Sequence, residues 1–381
     1  MPEPAAAALA VRAGATVFSG EKSTLLQTGP RPAVPGRSGR EQLQRVVRAL
    51  DDSPPGVVAA GAVPFDLDTP GALRLGPAEV VPGPLHLPPL GRRRAVTVTR
   101  SRPRPAPAGY ADAVRAALAR IEAGQLQKVV LARTLELDAL EDWSVPDLLG
   151  ELLTRNPAAT SLAVPLDDPA APGARWLVGA SPELLLRRRG PSVLLRPLAG
   201  SAPRSPEPAE DVRRADELMS SDKDRREHAF VVEAVVEALS PFCRKISAPE
   251  PELLATPAVW HLATRITALL SDTATTSVDL VAALHPTPAV GGSPRAAALD
   301  VIREVEGGPG GIDRGCYAGA VGWQDGDGDG EWVVAVRCAE VAGRTLRVFA
   351  GAGIVAGSDP DAEVAETAAK MRTVLDAAVA R

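Results

Sequence analysis

Aromatic residues are scarce in this sequence, with five Phe, two Tyr and five Trp making 3% of 381 residues. A core must then be built mostly from Ala, Val and Leu, which an apolar content of 45% permits. Cysteine is scarcer still. Cys243, Cys316 and Cys338 are odd in number and far apart, which argues against a disulfide framework or a zinc site and suits a reducing cytoplasm. No run of 18 apolar residues occurs, so no membrane span is expected. The stretch Met1–Arg12 lacks the basic start, long apolar run and cleavage site of a signal peptide. Charge of one sign is lacking too. Lys and Arg number 42 against 47 Asp and Glu, for a net charge of −5, which gives no basic footprint for nucleic acid or a membrane surface. There is no GxxxxGK[ST] phosphate loop and no internal repeat. The 34 Gly and 37 Pro stay below the roughly 25–30% of low-complexity disorder. A soluble cytoplasmic protein is expected. It is expected as a monomer, because no heptad pattern or large apolar stripe stands out.

Short strands between Pro and Gly turns fill the first hundred residues, best at 15–18, 57–63 and 95–99. Pro103, Pro105 and Pro107 predict an extended hinge. Helices are expected at 110–123, 147–155, 278–284, 294–305 and 364–380. Residues 210–239 read as one long helix or two. Strands are expected at 128–137, 176–179, 184–187, 193–197 and 344–350, with a turn and a strand within 253–270. A hairpin is expected from 318–323 and 331–341. The alternating Asp-Gly run 325–330 starts like a calcium loop, but Val336 stands where a bidentate Glu is needed, so it reads as the hairpin turn. Strands in antiparallel pairs and helices in separate runs predict an α+β fold, not a βαβ wind.

Carboxylates on helix faces are the first chemical candidates. Glu363, Glu366 and Lys370 fall at i, i+3 and i+7, within about 60° of arc. The stripe Val364, Met371, Leu375 and Ala378 is centred roughly 120° away. Asp224 and Glu227 repeat the i, i+3 spacing on another helix. Two such helices meeting around an oxygen-only site would favour Mg²⁺ over Zn²⁺, while spacing alone equally describes solvated faces. Lys128 opens the run VVLAR and is either a desolvated base or a strand-end Lys in water. Glu183 follows a Gly-Ala-Ser-Pro turn and is either a general acid or a cap. Gly351-Ala352-Gly353 allows close backbone approach to a ligand or a tight turn. His86, His228, His261 and His285 are too dispersed to propose a metal cluster.

Ten ordered segments together resemble the chorismate-binding enzymes. They are KVVLAR at 128–133, GASPELL at 179–185, PLAGSAPR at 197–204, KDRREH at 223–228 and WHLAT at 260–264. The series continues with LHPTPAVGGSP at 284–294, DRGCYAGAVGW at 313–323, GEWVVAVRCA at 330–339, AGAGIV at 350–355 and SDPDAEVAETAAK at 358–370. The dense match covers 109–378, and residues 15–76 match more loosely, through GAVPFD at 61–66. The superfamily includes isochorismate synthase, salicylate synthase and anthranilate synthase component I. LHPTPA and KVVLAR are similar to the isochorismate synthase branch. The resemblance implies a single α+β domain over 1–381, with a large antiparallel sheet flanked by helices. It implies Lys128 as the base that activates water for attack on ring C2 of chorismate. It implies Glu183 as the acid that protonates the departing C4 hydroxyl. Glu227 and Glu366 are implied as Mg²⁺ ligands, with Asp224 and Glu363 acting through water. Arg337 and Lys370 are implied to bind carboxylate. Gly200, Ser201, Ala289 and Gly351 are implied to line the substrate, with His261 and Tyr317 as further pocket residues. The stretch 306–313 is longer and richer in Gly than the usual link before DRG. The rivals are salicylate synthase, anthranilate or aminodeoxychorismate synthesis, and a catalytically silent chorismate-binding protein. Catecholate siderophores, salicylate and menaquinone are the possible destinations, and the motif likeness leans to the siderophore type.

Overall fold

The computed structural model describes residues 10–11, 14–29, 31–85, 87, 96–167, 174–308 and 311–379. His86 and Ala95 lie outside them. Seventeen strands join one extended sheet, three form a second, and every described pairing between these strands is antiparallel. In the large sheet the strand Lys128–Ala139 lies between Thr345–Val355 on one side and the edge strand Val98–Arg104 on the other. Its sequence KVVLARTLELDA is rich in β-branched and aliphatic residues and is buried over nearly its whole length. It pairs with Thr345–Val355 over eleven residues, from Lys128 opposite Val355 to Asp138 opposite Thr345. The small sheet, Leu198–Pro203, Glu252–Ala255 and Val259–Ala263, carries Gly200, Ser201 and His261.

Two apolar clusters lie about this framework. One holds Leu131, Leu186, Val231, Trp332 and Phe349. The other holds Leu149, Leu152, Val178, Val348 and Val374 under the helices Val145–Arg155 and Pro360–Ala378. The N-terminal strands belong to the same sheet. Thr16–Ser19 pairs with Thr160–Pro165, and Val57–Val63 pairs with Ala320–Gln324.

Local sequence explains where elements stop. The 210–239 region is two helices, Pro208–Ser220 and Asp222–Leu239. Ser221 is extended at the break, and its Oγ accepts the Asp224 N–H at 3.2 Å, capping the second helix. The Asp-Gly run is a hairpin turn in which Asp325 Oδ1 accepts the N–H groups of Asp327 and Asp329. Three expectations are corrected. Pro103 is not a hinge but part of the strand Val98–Arg104, which pairs with 134–139. Residues 253–270 hold most of Glu252–Ala255 and all of the strands Val259–Ala263 and Ile266–Leu270. The 331–341 strand breaks into Gly330–Val334 and Cys338–Ala342, with Arg337 at φ 54° in the gap.

Gly61 shows how tightly the sheet is drawn. Its φ is +146°, and a Cβ there would lie 1.9 Å from the Ala72 carbonyl oxygen of the paired strand. Gly61→Ala is expected to cost roughly 2–4 kcal/mol, from backbone strain plus overpacking. Urea unfolding of the purified variant measures it.

Candidate active site

Lys128 has no exposed surface. Its Nζ lies 3.0 Å from Glu227 Oε1, yet the ammonium has no hydrogen-bond partner of good geometry among the described residues. Glu227 reaches it from one turn inside the helix Asp222–Leu239, which is why the cap at Ser221 matters. Gly353, on the strand paired with Lys128–Ala139, makes room for both. A Cβ at Gly353 would lie 2.0 Å from Glu227 Oε1 and 3.1 Å from Lys128 Cε.

Glu183 follows the strand Trp176–Ser181 and is buried, with its N–H donating to Ser181 Oγ at 3.2 Å. Burial pushes its carboxyl up to about 7, against a backbone hydrogen bond from Leu198 and the charges of Lys128, Arg337 and Lys370. Those four side chains therefore share one electrostatic neighbourhood. Arg337 is buried, and its left-handed backbone in the gap between two strands turns the side chain onto His261. Its Nη2 lies 3.0 Å from His261 Nε2, while its buried Nε has no partner among the described residues. Burial, then the Arg337 and Lys370 charges, hold the His261 pKa well below its ordinary value, so the ring is neutral and Nε2 accepts. His261 pairs across the small sheet with Ser201 and is hydrogen-bonded to the Gly200 backbone. Gly200 needs its φ of +75°, and a Cβ there would come within 3.0 Å of Asp224 Cβ.

The carboxylates of the two helices lie within each other's electrostatic reach, with Glu227 and Glu363 buried and Asp224 and Glu366 half-buried. Glu363 is 1% exposed and faces inward beside Thr367 and Met371, while Val364 and Leu375 of the expected stripe are only half-buried. Glu363 Oε1 is 3.0 Å from Lys223 Nζ. Glu366 accepts from Ser201 Oγ at 2.8 Å and from Lys370 Nζ, and Lys370 also donates to the Gly351 carbonyl at 3.1 Å. Burial raises the Glu363 pKa and the Glu366 charge raises it further. For Glu366 itself burial is outweighed by Lys370, the Ser201 hydrogen bond and Lys223, so its pKa is lowered. Asp224 is raised by burial, with the charges of Glu227 and Glu366 adding.

This donor set fits a hard cation. The groups are carboxylates, and they repel one another in a partly desolvated space, a cost that a cation would relieve. Among the described residues no group of three or more His, Cys, Asp and Glu side chains closes around one point.

Tyr317 is buried and stacks on Phe349 with ring centroids 5.0 Å apart. A Cβ at Gly351 would come within 3.0 Å of its hydroxyl. Ala289 is half-buried in the loop after the helix Ser277–Leu284, and no polar contact ties it to the charged cluster. Sequence reasoning missed Gly353 and Lys223. The GAG run marked Gly353 only as one glycine of a turn, and Lys223 was read as part of a uniformly polar segment.

Glu183 gives a testable linkage. Between its ordinary 4.5 and about 7 the folded chain binds a proton that the unfolded chain has released. Its contribution to stability is therefore present at low pH and is lost as pH rises through that window. Glu183→Gln, which cannot ionise, is expected to be more stable than the parent by roughly 2–3 kcal/mol at pH 8. Near pH 4 the two are expected to be equal. Urea unfolding at both pH values measures the difference.

Comparisons with known proteins identify relatives over nearly the whole chain. The model of a family described as chorismate binding enzyme matches residues 90–379. The chain is 44% identical over 379 residues to the isochorismate synthase DhbC of Bacillus subtilis (strain 168), covering 96% of this chain and 93% of that one. It is 39% identical to the vibriobactin-specific isochorismate synthase of Vibrio cholerae, covering 89% of this chain and 83% of that one. A crystal structure of DhbC from Bacillus anthracis superposes with a TM-score of 0.89 at 38% identity and 96% coverage of both chains. The chain therefore belongs to the chorismate-binding enzyme family.

Proposed function

We propose that this protein is an isochorismate synthase, converting chorismate to isochorismate with Mg²⁺. The observation that carries the reading is a pair of buried cations, Lys128 and Arg337, whose Nζ and Nε have no hydrogen-bond partner among the described residues. Buried donors without partners are costly unless a ligand completes them. Chorismate is a dianion with ring hydroxyl chemistry, and it supplies what both lack.

Arg337 would take one substrate carboxylate, with neutral His261 fixing the guanidinium and Lys370 adding charge nearby. Gly200, Ser201, Ala289, Gly351 and Tyr317 would line the ring. Lys128 would accept the proton of a water that attacks C2. Glu183, held near 7 by burial, is still substantially protonated at neutral pH and would deliver its proton to the C4 hydroxyl as that group leaves as water. Glu227 and Glu366 would hold Mg²⁺, with Asp224 and Glu363 bound through water. When bound, the ion would offset the charge of the second substrate carboxylate and of the acids themselves.

The likeness to the vibriobactin-specific relative supports a role ahead of a catecholate siderophore. The whole chain is taken to act as one cytoplasmic, monomeric unit. Its N-terminal strands complete the sheet, and among the described residues no helix is long and apolar enough to cross a membrane.

The test is incubation of purified protein with chorismate, with and without Mg²⁺, and identification of products by chromatography and mass spectrometry. Isochorismate in equilibrium with chorismate, lost on chelation, is expected. Salicylate with pyruvate would move the protein to the salicylate synthase branch. Binding without turnover would make it a silent chorismate-binding protein. Lys128→Ala and Glu183→Gln are each expected to lower turnover by about 10²–10⁴-fold while the far-UV circular dichroism stays unchanged. Gly353→Ala, which pushes Glu227 away from Lys128, is expected to cost about 10²-fold, read in the same assay.

A further inference from the structure

We propose that Glu306, through a buried ion pair with Arg314, is a positioning residue for Lys128, and that the pair does the work of a missing strand. The edge of Lys128–Ala139 that faces away from Thr345–Val355 is paired at both ends only. At the start, Ser293 and Gly292 lie opposite Lys128 and Val129, and the Val130 N–H donates to the Gly291 carbonyl at 2.8 Å. Towards the far end, pairing with Val98–Arg104 resumes at Thr134. Between them stand the Val130 carbonyl and the Ala132 N–H, both in the interior, where an unpaired backbone group is costly.

Side chains fill this gap. Arg314 Nη2 donates to the Val130 carbonyl at 2.6 Å, and Glu306 Oε1 accepts the Ala132 N–H at 2.7 Å. The two side chains are themselves joined twice, Nε to Oε2 at 2.7 Å and Nη2 to Oε1 at 2.5 Å. Arg314 Nη1 also donates to the Val290 carbonyl at 2.8 Å, in the loop that carries Ala289, and its guanidinium lies 4.3 Å over the Phe65 ring. Both residues are buried. The pair therefore fixes the strand two residues beyond Lys128 and holds the neighbouring loop to it. Neither residue touches the buried charges around Glu183.

This inference rests on Lys128 being the base of the reaction proposed above. It predicts a particular split. The groups taken to hold the substrate carboxylates, Arg337 and Lys370, sit on other elements, so disturbing the pair should act on the chemical step and not on binding. Glu306→Asp keeps the charge balance but is one methylene shorter, and cannot reach both Arg314 and the Ala132 N–H from the same backbone. The expected result is a kcat at least about tenfold lower with KM within about twofold. A crystal structure of the variant is expected to show Val130–Ala132 displaced and the 3.0 Å Lys128–Glu227 separation changed. A lowered melting temperature with kcat, KM and the Lys128 position all unchanged would overturn the proposal and leave the pair a structural one. If Glu306→Asp does not fold, Arg314→Lys is read in the same way, since an ammonium cannot make the guanidinium's contacts together. Should the parent protein not turn over chorismate, the functional reading fails by itself. The crystallographic position of Lys128 in the variant then still decides whether Glu306 positions it.

Discussion

Everything around the site follows from the burial of the Lys128 ammonium beside the Glu227 carboxylate. An isolated ammonium in a protein interior gives up its proton or is driven to the surface, whereas one held beside a carboxylate can stay. That contact requires two elements from distant parts of the chain to meet within 3.0 Å. The helix carrying Glu227 must start at Ser221 and not run on from the preceding one. The facing strand must have no side chain at Gly353, where a single methyl would occupy the place of the carboxylate oxygen. One charge contact thus dictates a helix break and a bare backbone position.

The same logic extends outward as alternating charge. Lys128 faces Glu227, Glu363 faces Lys223, and Glu366 faces Lys370. Lys370 holds the Glu366 pKa down, whereas burial still raises that of Glu363 beside Lys223 and that of Glu183, which has no ion-pair partner among the described residues. Arg337 reaches this network because the strand pairing is interrupted at its own backbone. Gly179 lets the neighbouring strand approach closely beside it, since a Cβ there would lie 2.5 Å from Cys338 Cβ and 2.9 Å from the Arg337 carbonyl oxygen. The network is costly as a set of interior charges and useful as a receptor for a ligand that carries charge of its own.

Much of this was legible in the sequence. A nearly continuous apolar run located the strand at Lys128, and 3.6-residue spacing located the final helix and the helix at 110–123, which buries Tyr110, Ala111, Val114 and Ala117. The Asp-Gly turn was readable from its chemistry alone. The i, i+3 carboxylates were visible as pairs, but spacing could not tell a wet face from a buried one, since that depends on what packs against the helix. Only the ordered motifs, through their resemblance to a family, separated those readings for Lys128, Glu183, Glu227 and Glu366. Lys223, Gly353 and Glu306 stayed hidden for a shared reason. Their importance lies in a contact with a residue far along the chain, and no local pattern records it. Breaks in regular structure were the other blind spot. At Arg337 a strand-like sequence gives way to a left-handed residue, because the tertiary contact with His261 outweighs local preference.

The pairing of Lys128–Ala139 with Thr345–Val355 has a consequence for the time order of synthesis. The two strands are separated by about two hundred residues, and the helix bearing Glu363 and Glu366 is the last of the chain. A nascent chain emerging from the ribosome holds the strand Lys128–Ala139 with one edge open until synthesis has passed Thr345–Val355. During that interval Lys128 lacks the strand that faces it, and the final acidic residues do not yet exist. The charged cluster around Lys128 is therefore incomplete in a product that stops before Glu363, and the growing chain has an exposed strand edge to keep from its neighbours.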